Sequence, residues 1–278
     1  MSRADLLDVH VPKSVWSRSG RPLQGRISRT LFGTMMLLLG MTLPWPAVGW
    51  GLVVVGVLGF FLIPFATDFL IERREPGILA VSSPETATRE IEALDKSVLV
   101  SAFAPDAWVT LQRGRLHIAL GDGRAAAQDF AATARVLQQP QMPELLGAQA
   151  RALMLADDRA GARTHLIALD EAGTLGDRDR LWLGVVMLDE AAKAETAREH
   201  LEAAFEGLDG HPQAASALAI ALARTKETES VERALELLER AEKDADDADV
   251  LAQGLIKRAR KALRPARDAA KKKRKKKS

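Results

Sequence analysis

Arg115 and Arg151 stand at matching places in the chain, each eleven residues ahead of an alanine, Ala126 and Ala162. A guanidinium is a planar fork of N–H donors that grips a carboxylate in bidentate fashion. A pair of them suits an acidic peptide. At the corresponding places further on stand Val186 and Ala223, so two readings are open: a partial cation clamp, and a pair of solvent-exposed arginines. The second charged feature is the C-terminal run Lys271, Lys272, Lys273, Arg274, Lys275, Lys276 and Lys277. It has no apolar surface to bury and is expected to be disordered. Its chemistry is polyanion binding. Each cation is worth about 1 kcal/mol against an anionic membrane lipid, and RNA phosphates would be neutralised in the same way. No aromatic residue interrupts the run, so contact with RNA would be non-specific.

Catalytic chemistry finds little support. The chain has no cysteine, which excludes disulfides, thiolate metal sites and a thiol nucleophile. His10, His117, His165, His200 and His211 do not fall at metal-ligand spacings. Gly121-Asp122-Gly123 lacks the following Gly-Lys-Ser/Thr of a phosphate loop, and no serine sits in a nucleophile elbow. The chain reads as a non-enzyme, with no cofactor, no metal and no small-molecule substrate.

The elements that would position the arginines come from a repeat. Ala126, Ala162, Ala197 and Ala234 are spaced by 36, 35 and 37 residues. Four residues after each comes Phe130, Leu166, Leu201 or Leu238, and seven after comes Thr133, Leu169, Ala204 or Ala241. This i, i+4, i+7 pattern is one face of a helix. A short break precedes each such helix, and another apolar-periodic helix precedes the break, over 106–119, 143–155, 179–189 and 213–224. The unit is a helical hairpin of about 35 residues that cannot bury its apolar face alone and must stack on its neighbours. Leu251, Leu255, Ala259 and Leu263, with Val250, are expected to close the end, with Lys257, Arg258 and Lys261 outward.

The stretch AWVTLQRGRLHIALGDGRAAAQDFAATARVLQQP (107–140) resembles the tetratricopeptide repeat family. Gly114 and Ala126 fall at that family's close-packing small positions, Gly121-Asp122 at its inter-helix turn and Phe130 at its large position. Ala150 and Ala162 keep the small pair in the second copy, whereas Val185 replaces the first small residue in the third, with Gly184 one place earlier. The usual tyrosine is replaced by His117, Leu153 and Leu188. The resemblance implies an α-solenoid of about four hairpins, with Arg115 and Arg151 facing its concave groove. It also implies a protein partner in that groove.

Nearer the N-terminus, residues 30–67 contain no charge. As a single helix they would extend about 57 Å, nearly twice a bilayer's hydrocarbon core of roughly 30 Å. Pro44 and Pro46 supply a break, and Trp45 and Trp50 suit a headgroup interface. The stretch 30–71 therefore reads as a transmembrane hairpin with spans 30–44 and 48–69. Ala47 with Gly51 is its candidate point of close helix approach. Arginines precede it (Arg18, Arg21, Arg26, Arg29) and follow it (Arg73, Arg74), which places both termini in the cytoplasm of a multi-pass inner (plasma) membrane protein.

The organisation expected is all-α: a basic cytoplasmic leader (1–29), the transmembrane hairpin (30–71), a linker (72–83), a helical-repeat domain with capping helices (84–263) and a disordered polybasic tail (264–278). The function expected is a membrane-anchored adaptor or scaffold that binds a protein partner at the cytoplasmic face, with the tail on anionic lipid. The alternative is a membrane-proximal RNA- or ribosome-binding protein acting through the tail.

Overall fold

Two prolines set the first boundary. Helix α1 (Gln24–Thr42) ends before Pro44, and α2 (Pro46–Leu79) begins on Pro46, with Trp45 extended between them at φ −108° and ψ 101°. Proline is tolerated at the first helical position because the N–H it lacks would have no partner there. The computed structural model describes residue 11 and residues 24–277 other than 82, 226, 247 and 248. The side chains of 24–32, 59–68, 102, 103, 191, 250, 267 and 269–277 lie outside that description. The basic leader is therefore outside the described residues, apart from Val11 and the backbone from Gln24 onward.

Every regular element among the described residues is a helix, and none is a strand. The chain divides into two units. The first ends at Gly121 and takes in Gln128–Leu145, and the second comprises Asp122–Ala127 and the chain from Leu146. The division falls inside the expected 84–263 domain.

In the first unit α1 and α2 pack along a seam of glycines. A Cβ placed on Gly40 would lie 2.6 Å from the carbonyl oxygen of Gly49, and one on Gly56 would lie 2.9 Å from Met36 Cβ. Each helix thus carries its glycines seven residues apart (Gly33 and Gly40, Gly49 and Gly56), two turns along one face. The expected approach point was different: Gly51 has nothing near it. The outer surface is apolar, with Met35, Leu38, Met41, Trp45, Trp50 and Val55 exposed.

The hairpin is present, but its expected role as a membrane anchor is overturned. Among the described residues no helix is long and apolar enough to cross a membrane. Helix α1 takes in Arg26 and Arg29, leaving only 30–42 uncharged, well short of the roughly 20 residues a span needs. Helix α2 is charged from Asp68 onward. The multi-pass inner-membrane location, with both termini cytoplasmic, falls with this finding.

The expected linker at 72–83 is also mostly helix. Helix α2 continues through Pro76 and Gly77 to Leu79. Ile71 and Ile78, each 1% exposed, lie with Glu75 on one face, and that face packs on α5 (Asp106–Leu120). Burial of this face outweighs the local cost of the proline. Helix α3 (Pro84–Lys96) then starts on an N-cap, with Ser83 Oγ accepting a hydrogen bond from the Thr86 amide at 3.3 Å. Helix α4 (Val98–Phe103) starts likewise on Ser97.

Helix α5 stops at Gly121, whose φ of 82° is the left-handed cap that favours glycine. Asp122 Oδ1 accepts from the Ala125 amide and opens α6 (Gly123–Val136). There follow α7 (Pro143–Leu155), α8 (Arg159–Glu171), α9 (Asp177–Met187), a 3-10 turn (Ala191–Lys193), α10 (Ala194–Gly207), α11 (Pro212–Thr225), α12 (Thr228–Asp244) and α13 (Val250–Lys277). These match the predicted hairpin helices. All residues placed inward by the i, i+4, i+7 pattern, from Ala126 to Ala241, are at most 1% exposed. Gly114 backs onto the Phe130 ring, where an added Cβ would meet Cε1 at 2.6 Å. In the next but one hairpin it is Gly184, not Val185, that backs onto its partner, Leu201 Cγ, at 2.6 Å.

Helix α13 closes the second unit, with Leu255, Ala259 and Leu263 buried, Leu251 half-buried and Lys257 and Lys261 exposed as expected. Arg258, expected outward, is half-buried and reaches Asp189, and the Val250 side chain lies outside the described residues. The expectation of a disordered tail from 264 is not met by the backbone, which stays helical past Pro265 to Lys277. Lysine and arginine are good helix formers, so a helix already nucleated at 250–264 can propagate into them.

Candidate binding surfaces

Both arginines picked out by spacing are inside the protein. Arg115 is 5% exposed, and its Nη1 donates to Glu75 Oε1 at 2.9 Å and to Gln112 Oε1 at 3.1 Å. Glu75 comes from the stretch of α2 expected to be linker. Arg151 is 7% exposed and forms an ion pair with Asp179 in the first turn of α9. Gly147 makes room for that carboxylate, since a Cβ there would lie 2.5 Å from Asp179 Oδ2. A similar latch recurs at Gln213, whose Nε2 donates to both oxygens of Asp249 at 3.0 and 3.1 Å. Asp249 also accepts from the Ala252 amide and so caps α13. In each case a buried polar side chain meets a carboxylate 28 to 40 residues away in sequence.

The first helix of each later hairpin offers no exposed groove wall. Leu181–Leu188 of α9 and its C-cap are all buried, and so are Gln213–Leu222 of α11. The end of α9 is tied down by cations. Arg159 and Arg258 both reach Asp189, Arg163 and Lys193 reach Glu190, and Arg224 donates to the Leu188 carbonyl. Cations at a helix C-terminus complement its dipole.

The exposed surface lies on the second helices. On α10, Glu195, Glu199 and Glu206 are exposed, and on α12, Glu229, Glu232, Glu236 and Glu239 are exposed. Spacings of four and seven on α10, and of three and four on α12, put each set on one helix face. Against them on α12 stand Arg233, Arg240 and Lys243, and Arg233 is already paired with Glu202 at 3.3 Å. The i, i+4, i+7 pattern marks the buried stripes of these helices and not this opposite one, though the acidic periodicity is just as plain in the sequence.

A second surface was missed for a different reason. In the first unit, Phe69, Leu70, Arg73, Arg74 and Gly77 of α2 face Glu90 and Ala93 of α3, with Ser97 and Leu99 beside them, around a cleft of about 630 Å³. Arg73 and Arg74 had served only as markers of membrane orientation.

Three histidines, His117, His165 and His200, lie on hairpin helices. His117 Nε2 is 3.6 Å from Asp129 Oδ2, whose carboxyl is pushed up chiefly by burial, against the opposing pull of Arg113 and His117. Half-burial of His165 lowers its pKa. The fold therefore prefers neutral His165. Above its unfolded value near 6.5 the residue costs nothing. As pH falls through that value the unfolded chain takes a proton that the native site resists, and stability is lost. His165→Gln is expected to lose less stability than wild type between pH 7.5 and 5.5, a window above the carboxylates. Paired urea melts at the two pH values measure this.

Among the described residues no group of three His, Cys, Asp or Glu side chains is placed to hold a metal ion. The side chains of Lys271–Lys277 lie outside the described residues. Compared with known proteins, the chain matches no protein-family model, no curated protein and no solved structure.

Proposed function

We propose that this chain is a tetratricopeptide-like α-solenoid adaptor that holds a protein partner. The contact is assigned to the outer faces of α10 and α12 rather than to the groove. The observation that carries the reading is the pairing of a largely buried first helix with an exposed, predominantly acidic second helix in successive hairpins. Such an acidic face recruits a basic partner segment, because complementary potentials raise the encounter rate and penalise acidic competitors. Arg115 and Arg151 then serve as internal ties rather than as partner contacts.

Calorimetric titration of the full chain with a lysine- and arginine-rich peptide tests this. Binding is expected to weaken steeply between 50 and 300 mM salt. The triple substitution Glu232→Lys, Glu236→Lys, Glu239→Lys is expected to weaken it at least tenfold while the far-UV spectrum and Tm hold. If the peptide binds the triple variant as well as wild type, the face is not the docking surface. If the chain instead captures RNA and loses it on deletion of 271–277, the tail is the working element and the adaptor reading fails.

A further inference from the structure

The cleft of the first unit combines an apolar floor with two cations that have no partner among the described residues. Phe69 and Leu99 are 64% and 60% exposed, far more than a core requires, and with Leu70, Ala93 and Gly77 they make most of its lining apolar. Arg73 and Arg74 stand on the same wall. The buried arginines of this protein, and some half-buried ones, are spent on carboxylates: Arg115 on Glu75, Arg151 on Asp179, Arg159 and Arg258 on Asp189. Among the described residues Arg73 and Arg74 are spent on none. Glu90 is the one acid of the lining, so the cleft is net cationic. Its volume falls within the roughly 300–1,000 Å³ of pockets that take small ligands.

An apolar trough beside two free guanidinium forks fits a molecule with a long hydrocarbon body and one anionic end. We propose that this cleft binds a single-chain fatty-acid anion. Its alkyl chain lies along Phe69, Leu70, Ala93 and Leu99, and its carboxylate is gripped by Arg73 and Arg74. The apolar lining supplies the affinity in proportion to the area it dries. The arginines supply the preference for an acid, since a charge-assisted bidentate pair is about twice as strong as a neutral hydrogen bond. Gly77 leaves the wall of α2 open, with nothing within 4 Å of where a Cβ would sit. The site uses no residue of the acidic faces and stands or falls independently of the adaptor reading.

The test is calorimetric titration of the full-length protein with oleate below its micellar concentration, and with oleyl alcohol as the uncharged probe of the same length. One oleate is expected per chain, bound at least tenfold more tightly than the alcohol. The double substitution Arg73→Gln, Arg74→Gln is expected to abolish that preference while leaving alcohol binding unchanged. Ala93→Trp, which fills the trough, is expected to weaken both probes. Equal affinity for the two probes overturns the proposal, as does oleate binding that the double substitution leaves untouched. Several oleates per chain, insensitive to the double substitution, would mean adsorption on the exposed apolar surface of α1 and α2 and would equally overturn it. Should the double variant fail to fold, the ratio of the two probes on wild type decides alone.

Discussion

Asp179→Ala is expected to destabilise the protein by about 3–5 kcal/mol, as breaking one side of a buried ion pair does. The side chain of Arg151 is 8% exposed and that of Asp179 14%, so removing the carboxylate leaves a largely buried guanidinium without its counter-charge. The loss would be a large part of a typical stability of 5–15 kcal/mol. The pair itself contributes much less than this figure, because desolvating both ions offsets most of their attraction. Arg151→Met with Asp179→Leu should therefore stay within about 1–2 kcal/mol of wild type, although it removes the same contact. Arg151→Lys keeps the charge but not the fork, and is expected to fall between them. Urea midpoints at constant m separate the three. If Asp179→Ala shifted the midpoint no more than an ordinary surface change does, Arg151 would be reaching solvent, and the groove reading of the two arginines would return.

That test bears on what the sequence could disclose. The inward stripes were legible from Ala126 to Ala241 because a helix face is a local property, repeated every three to four residues. The role of Arg115 and Arg151 was not legible. Equal spacing from an alanine says that two side chains point the same way, not what meets them. Their partners, Glu75 and Asp179, lie 40 and 28 residues away in sequence. The slip from Gly184 to Val185 has a similar cause. Alignment on Ala197 counts back through the break before α10, and the 3-10 turn Ala191–Lys193 makes that break longer than those before α6 and α8. The linker was misread because Pro76-Gly77 is a strong local stop signal, while the buried Ile71, Glu75 and Ile78 face that overrides it is tertiary. The N-terminal hairpin was foreseen as a hairpin from its prolines. Its glycine seam was misplaced because Ala47 and Gly51 form as good a small-residue pair on paper as Gly40 and Gly49 do in space. The cleft at Arg73 and Arg74 could not be foreseen at all while 72–83 was taken for a linker, since without the helical end of α2 it has no wall.

Phe130→Ala is the other large effect expected, about 3–5 kcal/mol, because a fully buried ring is replaced by a cavity its neighbours cannot close. The reverse change at the same contact is also unfavourable. Gly114→Ala should gain about 1 kcal/mol of helix propensity, but its Cβ would stand 2.6 and 2.8 Å from two ring carbons of Phe130. A ring with no exposed surface has nowhere to move, and overpacking of this kind costs roughly 1–3 kcal/mol. The two positions are therefore coupled by size. The corresponding places on α7 and α8 hold Ala150 and Leu166, both fully buried, so an alanine facing a leucine already fits this kind of crossing. Combining Gly114→Ala with Phe130→Leu is expected to be less destabilising than the sum of the two single changes by about 1 kcal/mol or more, a coupling seen only between residues in contact. Gly51→Ala serves as the control, since it has no neighbour within 4 Å and should show the propensity gain alone. Strict additivity of Gly114→Ala and Phe130→Leu in urea melts would mean that the glycine is not there to admit the ring, and the close-packed crossing of α5 and α6 would have to be explained in another way.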